Sequence, residues 1–206
     1  MEKIIDYKVK DFFRITDLSV IQEYTSILEH LNPLNEIPNP KYKWYHKWFK
    51  KHPKTLQIKD IRSLSFGKVN EIKMNLLEAS DKSIFDTIKM LVDVEDYHIL
   101  NFTITTFYGI ISKIRKEIIE IKNAENNELV DEYEDEFLAV VNAKQRLEKF
   151  GVINDLDLLS KEDVLKWKEI EELPYMVVFT KLRLEKEKNK IKREVAELQK
   201  KKQSKK

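Results

Sequence analysis

DYHILNFTITTFYGIISKIRKEIIEIKN, Asp96 to Asn123, is the stretch that decides the fold. Within it Leu100, Ile104, Phe107, Ile111, Ile114, Ile118 and Ile121 recur at spacings of three and four. At the angular step of an α-helix these side chains line one stripe, so the stretch reads as the chain's longest helix, starting near Asp96, with that stripe buried. The β-branched run Thr103 to Thr106 lowers intrinsic helix propensity, so packing must hold the helix there.

The same signals recur outward in both directions. Ser19 followed by Gln22 resembles a capping box that opens a helix ending near Asn32 and Pro33. Ser65 is placed to cap a helix that buries Phe66, Val69, Ile72 and Leu76. Ser83 is placed to cap another, carrying Ile84, Phe85, Ile88, Leu91 and Val92. Beyond the deciding stretch, Tyr133 to Phe150 reads as a helix ended by Gly151, whose C-cap contact is Val152. Ser160 opens a further helix, which Pro174 interrupts, and a final helix starts near Tyr175. In that last helix Val177, Leu184, Ile191, Val195 and Leu198 fall on heptad a and d positions, while Lys181 and Lys188 occupy two others.

Strand signals are short. Ile5, Tyr7 and Val9 alternate with Asp6, Lys8 and Lys10, a period of two that predicts a half-buried strand. Thr55 to Ile58 is the second candidate, and the two are placed to pair as a small ribbon. The loop NPLNEIPNP, Asn32 to Pro40, carries three prolines that oppose regular structure. The expected fold class is therefore mainly α: a helical domain over 1–173 with a minor β element at the amino terminus, then an extended basic helix over 174–206 with a disordered lysine-rich end.

Composition narrows the function classes. With 206 residues and 42% apolar content the chain can bury a core. Only three glycines argue against a turn-rich β-barrel or sandwich. There is no cysteine, which removes disulfides, thiolate metal sites and cysteine nucleophiles. Neither a secretory leader nor a membrane-spanning run is expected, so the expected location is the cytoplasm or a virion. His30, His46, His52 and His98 form no HExxH or Glu-x-x-His pattern. Gly67 lacks the companions of a phosphate-binding loop. No catalytic residue, metal ligand or cofactor is expected.

Two features point to partners instead. The stretch KYKWYHKWFKKHPK, Lys41 to Lys54, holds five aromatics and six lysines without an acid. As a helix it sets Trp44, Tyr45, Trp48 and Phe49 on one side and Lys43, Lys47, Lys50 and Lys51 on the other. Such a face docks onto its own domain, anchors a protein partner, or takes nucleic acid, with lysines on phosphates and rings on bases. A membrane surface is not the expected partner.

The second feature is segregated charge beneath a net +2. Between Asn123 and Glu136 there are seven acids and no base, whereas Lys181 to Lys206 holds twelve bases and four acids. These blocks meet within one chain or between copies, the latter making rings or filaments. Asp131, Glu132 and Glu134 would face Lys190, Lys192 and Arg193 in such a contact.

IRSLSFGKVNEIK, Ile61 to Lys73, and WKEIEELPYMVVFTKL, Trp167 to Leu182, resemble helix-opening and helix-breaking stretches in small helical proteins of tailed bacteriophages. The resemblance spans roughly the carboxyl-terminal two-thirds and implies a virion structural or tail-assembly protein: helical, non-enzymatic and multimeric. It carries no functional residue across, and the Trp-Lys stretch has no counterpart in it. The expected function is assembly through protein–protein contacts, with Trp44, Tyr45, Trp48 and Phe49 as anchors. The alternative is a non-specific nucleic-acid-binding module using Lys43, Lys47, Lys50, Lys51 and the carboxyl-terminal lysines.

Overall fold

The computed structural model describes residues 7–43, 45, 52–130 and 139–203 of the chain. The fold is mainly α: ten α-helices and one two-stranded antiparallel sheet among the described residues. The chain divides into two compact units, one of residues 1–61 and 71–120, the other of residues 62–70 and 121–206.

The first unit begins with α1 (Val9–Phe12) and α2 (Leu18–Leu28). A strand is expected at the start of α1, but among the described residues Lys8 makes only an isolated bridge with Thr103. Val9 and Phe12, three apart, are both buried, so helical spacing prevails over the alternation of two. The cap of α2 is Asp17, not Ser19: its Oδ1 accepts from the Ser19 and Val20 amides at 2.9 and 3.4 Å. The Ser19 hydroxyl, which donates to the same oxygen at 2.7 Å, and then those two amides hold the Asp17 carboxyl below its ordinary range.

The proline-rich loop is not wholly irregular. It contributes β1 (Glu36–Pro38), which pairs with β2 (Thr55–Gln57) so that Ile37 faces Leu56. Among the described residues the partner of the Thr55 segment is therefore this loop; Ile5 and Asp6 of the expected amino-terminal strand lie outside them. Ile37 is fully buried, and proline is tolerated because among the described residues no third strand pairs with either edge.

The next two helices are α3 (Phe66–Glu78) and α4 (Asp81–Leu91). The cap of α4 is Ser80, whose Oγ accepts from the Ser83 amide at 3.1 Å. Ser83 lies one turn inside and is buried, its hydroxyl donating to the Ser80 carbonyl at 2.8 Å. The helix expected to run unbroken from Asp96 is two: α5 (Asp96–Leu100) and α6 (Ile104–Leu129). Thr103 makes the break, its Oγ1 accepting from the Thr106 amide at 3.3 Å. From Ile104 onward the predicted stripe is buried, through Phe107, Ile111, Ile114, Ile118 and Ile121. Leu100, beyond the break, is half-buried and Ile99 takes its place in the core.

One polar group within α6 secures the first unit. Lys113, almost fully buried, pairs with Glu117 one turn on and donates to Asn35 Oδ1 at 3.2 Å. The other Glu117 oxygen accepts from the Ile61 amide at 2.9 Å. Leu34 approaches the same helix where Gly109 leaves room, since a Cβ there would lie 2.6 Å from the Leu34 side chain.

The second unit contains α7 (Ala143–Glu148), α8 (Val152–Ser160), α9 (Trp167–Glu172) and α10 (Tyr175–Gln203). Of the helix expected over Tyr133 to Phe150, residues 133–138 lie outside the described residues, and a turn at residues 141–142 precedes α7. Gly151, expected as a C-cap with Val152 as its contact, instead stands at the N-cap of α8 with φ +50°, Val152 being the first residue of that helix, while α7 ends earlier at Glu148. Ser160 ends α8 instead of opening the next helix, and Asp163 caps a 3-10 turn that leads into α9.

Pro174 divides α9 from α10, as its missing N–H predicts. At 29 residues α10, not the Asp96 stretch, is the longest helix described. Its first two turns belong to the second unit's core: Tyr175, Val178, Phe179 and Leu182 are buried, and the Tyr175 amide donates to the Leu64 carbonyl at 3.0 Å.

Candidate interaction surfaces

The aromatic-basic stretch forms the connection between β1 and β2. Its base is tied by Asn39, which is buried and donates from Nδ2 to the Pro53 carbonyl at 2.8 Å. The Asn39 amide adds a bond to the Lys54 carbonyl at 2.9 Å, so both ends are held together. Lys41 leaves this base to pair with Asp93 at 3.0 Å, and its hydrogen bond, with its charge, holds the Asp93 carboxyl low. Lys43 and Tyr45 are exposed, with the ammonium 5.9 Å from the ring centroid. Neither is helical. Trp44, Lys47, Trp48, Phe49, Lys50 and Lys51 lie outside the described residues.

The described part of the acidic block, residues 123–130, is the end of α6 and the residue after it. Its carboxylates meet the basic helix within one chain. Arg183 Nε pairs with Glu128 at 2.5 Å, and the Tyr175 hydroxyl donates to Glu125 at 2.9 Å. Burial together with the Glu125 charge pushes the Tyr175 hydroxyl pKa up. Lys186 Nζ donates to the carbonyls of Glu128 and Val130 at 3.1 and 2.7 Å, placing a cation on the helix's negative end. Asp131, Glu132 and Glu134 lie outside the described residues, so their expected contact with the basic helix is not described.

These contacts give α10 two unlike faces. The packed face runs from Tyr175, Val178, Phe179 and Leu182 to the half-buried Glu185, Lys186 and Arg193. Arg193 shares a groove of about 240 Å³ with Leu129, Asp155 and Glu185. The opposite face is open. Along it Val177, Leu184, Ile191 and Leu198 repeat every seven residues, 53%, 49%, 52% and 59% exposed, with Val195 beside them at 47%. Lys181 and Lys188, on the same side, are drawn to Glu185 at 2.6 and 3.1 Å. Together they hold the Glu185 carboxyl down to about 2. Lys190 and Lys192 are exposed on the outer part of the helix.

A separate cavity of about 310 Å³ lies in the first unit. Its floor is Phe107, Ile111 and Ile114 on α6, its walls include Ile84 and Leu76, and its rim carries Glu29 and Arg115, paired at 3.4 Å. Sequence reading misses this cavity, because the residues that shape it look like ordinary core positions. Among the described residues no three histidine, aspartate or glutamate side chains gather as a metal would need, and no helix is long and apolar enough to cross a membrane. Comparison with protein-family models, with curated proteins and with solved structures finds no match.

Proposed function

We propose that this chain is a non-enzymatic structural or assembly protein that works through protein–protein contacts, in the manner of the tailed-phage virion and tail-assembly proteins its sequence resembles. One observation carries the reading. The outer face of α10 keeps an apolar row, Val177 to Leu198, open to solvent along a helix whose other face is already packed. Contiguous apolar surface on an otherwise charged helix marks a contact to be made.

Light scattering on the full chain over a range of concentrations tests the proposal. The mass should rise with concentration, and Leu184→Asp with Ile191→Asp should return it to that of one chain without loss of helical signal. A single-chain mass at every concentration overturns assembly from like subunits.

The nucleic-acid reading draws on one feature, the lysines and the exposed Tyr45 on the β1–β2 connection. It predicts single-strand binding that weakens with salt, at a slope near −0.7 per phosphate contact. Tryptophan emission that does not change on adding oligonucleotide counts against it.

A further inference from the structure

We infer that α10 pairs with the α10 of a second copy as a parallel, in-register, two-stranded coiled coil closed along Val177, Leu184, Ile191 and Leu198. The inference rests on the assembly reading and names its partner and geometry. The four residues are the d positions of successive heptads, and Lys181, Lys188 and Val195 are the a positions. The buried side chains at Tyr175, Val178, Phe179 and Leu182 sit on the far side of the helix, so a second helix can reach the seam without displacing them.

Charge selects the second copy and its direction. In a parallel pair each g residue faces the e residue five positions on in the partner. Glu187 then faces Lys192 of the other chain, twice by symmetry, and Glu194 faces the neutral Gln199. An antiparallel pair places Glu187 against Glu194 on one flank of the seam and Glu185 against Lys192 on the other, so repulsion and attraction offset and the net gain of the parallel pair is lost. It also sets every apolar d residue against an a position, two of which are lysines.

The parallel register instead stacks Val177, Leu184, Ile191 and Leu198 on their own copies and gathers the lysines into layers of their own. The cost of those lysine layers is eased by Glu185, which already pairs with both lysines in the single chain. Their aliphatic stems then remain to cover the seam. In a parallel pair Lys188 also lies next to Glu187 of the other copy.

The absence of cysteine gives a clean test. A single Ile191→Cys substitution in the full chain places one thiol in the seam, and Lys190→Cys places one outside it. Under mild oxidation Ile191→Cys should form a disulfide-linked dimer and Lys190→Cys should not. Leu184→Cys repeats the test at a second layer.

Glu187→Lys alone should raise the dissociation constant roughly tenfold, as two attractions become two repulsions. Adding Lys192→Glu should restore it. Should the unmodified chain be multimeric while neither seam thiol cross-links, the pairing is overturned and assembly stands. Cross-linking of Ile191→Cys only with Lys188→Cys would mean antiparallel chains and overturns it equally. A single-chain mass with no cross-link overturns the assembly reading as well.

Discussion

Gly151 holds a backbone that side chains resist, with φ +50° and ψ −126°. A Cβ there would meet nothing within 4 Å, so the cost of Gly151→Ala is conformational and not steric. Replacement should destabilise the second unit by about 1–3 kcal/mol, read as a lowered thermal midpoint. His98 offers a different test. It is buried, and its Nδ1 accepts from the Glu95 amide at 3.1 Å, which requires the neutral ring. Burial, with the Lys41 charge, keeps its pKa below the ordinary 6.5, against the opposing pull of Glu95 and Asp93. The unfolded chain therefore takes up a proton at a higher pH than the folded one does. The stability this ring contributes is complete above about pH 6.5 and is lost as pH falls through the depressed folded value. Urea midpoints between pH 7 and 5 should fall more steeply in the native chain than in His98→Gln; equal slopes would refute the assignment.

Single elements are held by polar residues at fixed places. Within α6, Glu117 serves Lys113 on one oxygen and the Ile61 amide on the other, 14% exposed. Glu117→Leu strands a buried ammonium and should cost about 3–5 kcal/mol in chemical unfolding. Lys113→Met in the same chain should recover most of that loss, because no buried charge then remains. At the start of α4, Ser80→Ala should cost about 1 kcal/mol, whereas an equal loss from Lys82→Ala would deny Ser80 the capping role. The stripe of α6 is legible in sequence because Ile104 to Ile121 keep one spacing over five turns. The caps are less so. Ser83 and Thr87 look like capping or surface residues, yet both are buried with their hydroxyls bonded to carbonyls of their own helix. Likewise β1 hides among prolines, because its pairing with Thr55–Gln57 depends on a contact across the aromatic-basic connection that no local pattern announces. The heptad row of α10 can be read from spacing alone. Which face of it stays open cannot, since Val177 and Val178 are equally apolar and only packing in the second unit buries the latter.

The whole molecule carries a net charge of +2 that conceals opposed blocks, and the fate of those blocks decides how copies would meet. Arg183 and Lys186 already reach the end of α6 inside one chain. That contact removes part of the charge a head-to-tail assembly would need, and it leaves the apolar seam of α10 as the surface with most to gain from a partner. The two modes answer differently to salt. At about 1 M salt the screening length falls to roughly 3 Å, so contacts between exposed charges on separate copies are largely lost. Burial of Leu184, Ile191 and Leu198 is not screened, and only the Glu187–Lys192 pairs at its rim weaken, each worth under about 1 kcal/mol. At a fixed concentration the light-scattering mass should therefore persist when salt is raised from about 0.1 to 1 M, falling by no more than those rim pairs allow. A mass that drops to that of one chain over the same range would put the contact on the charge blocks and not on the seam.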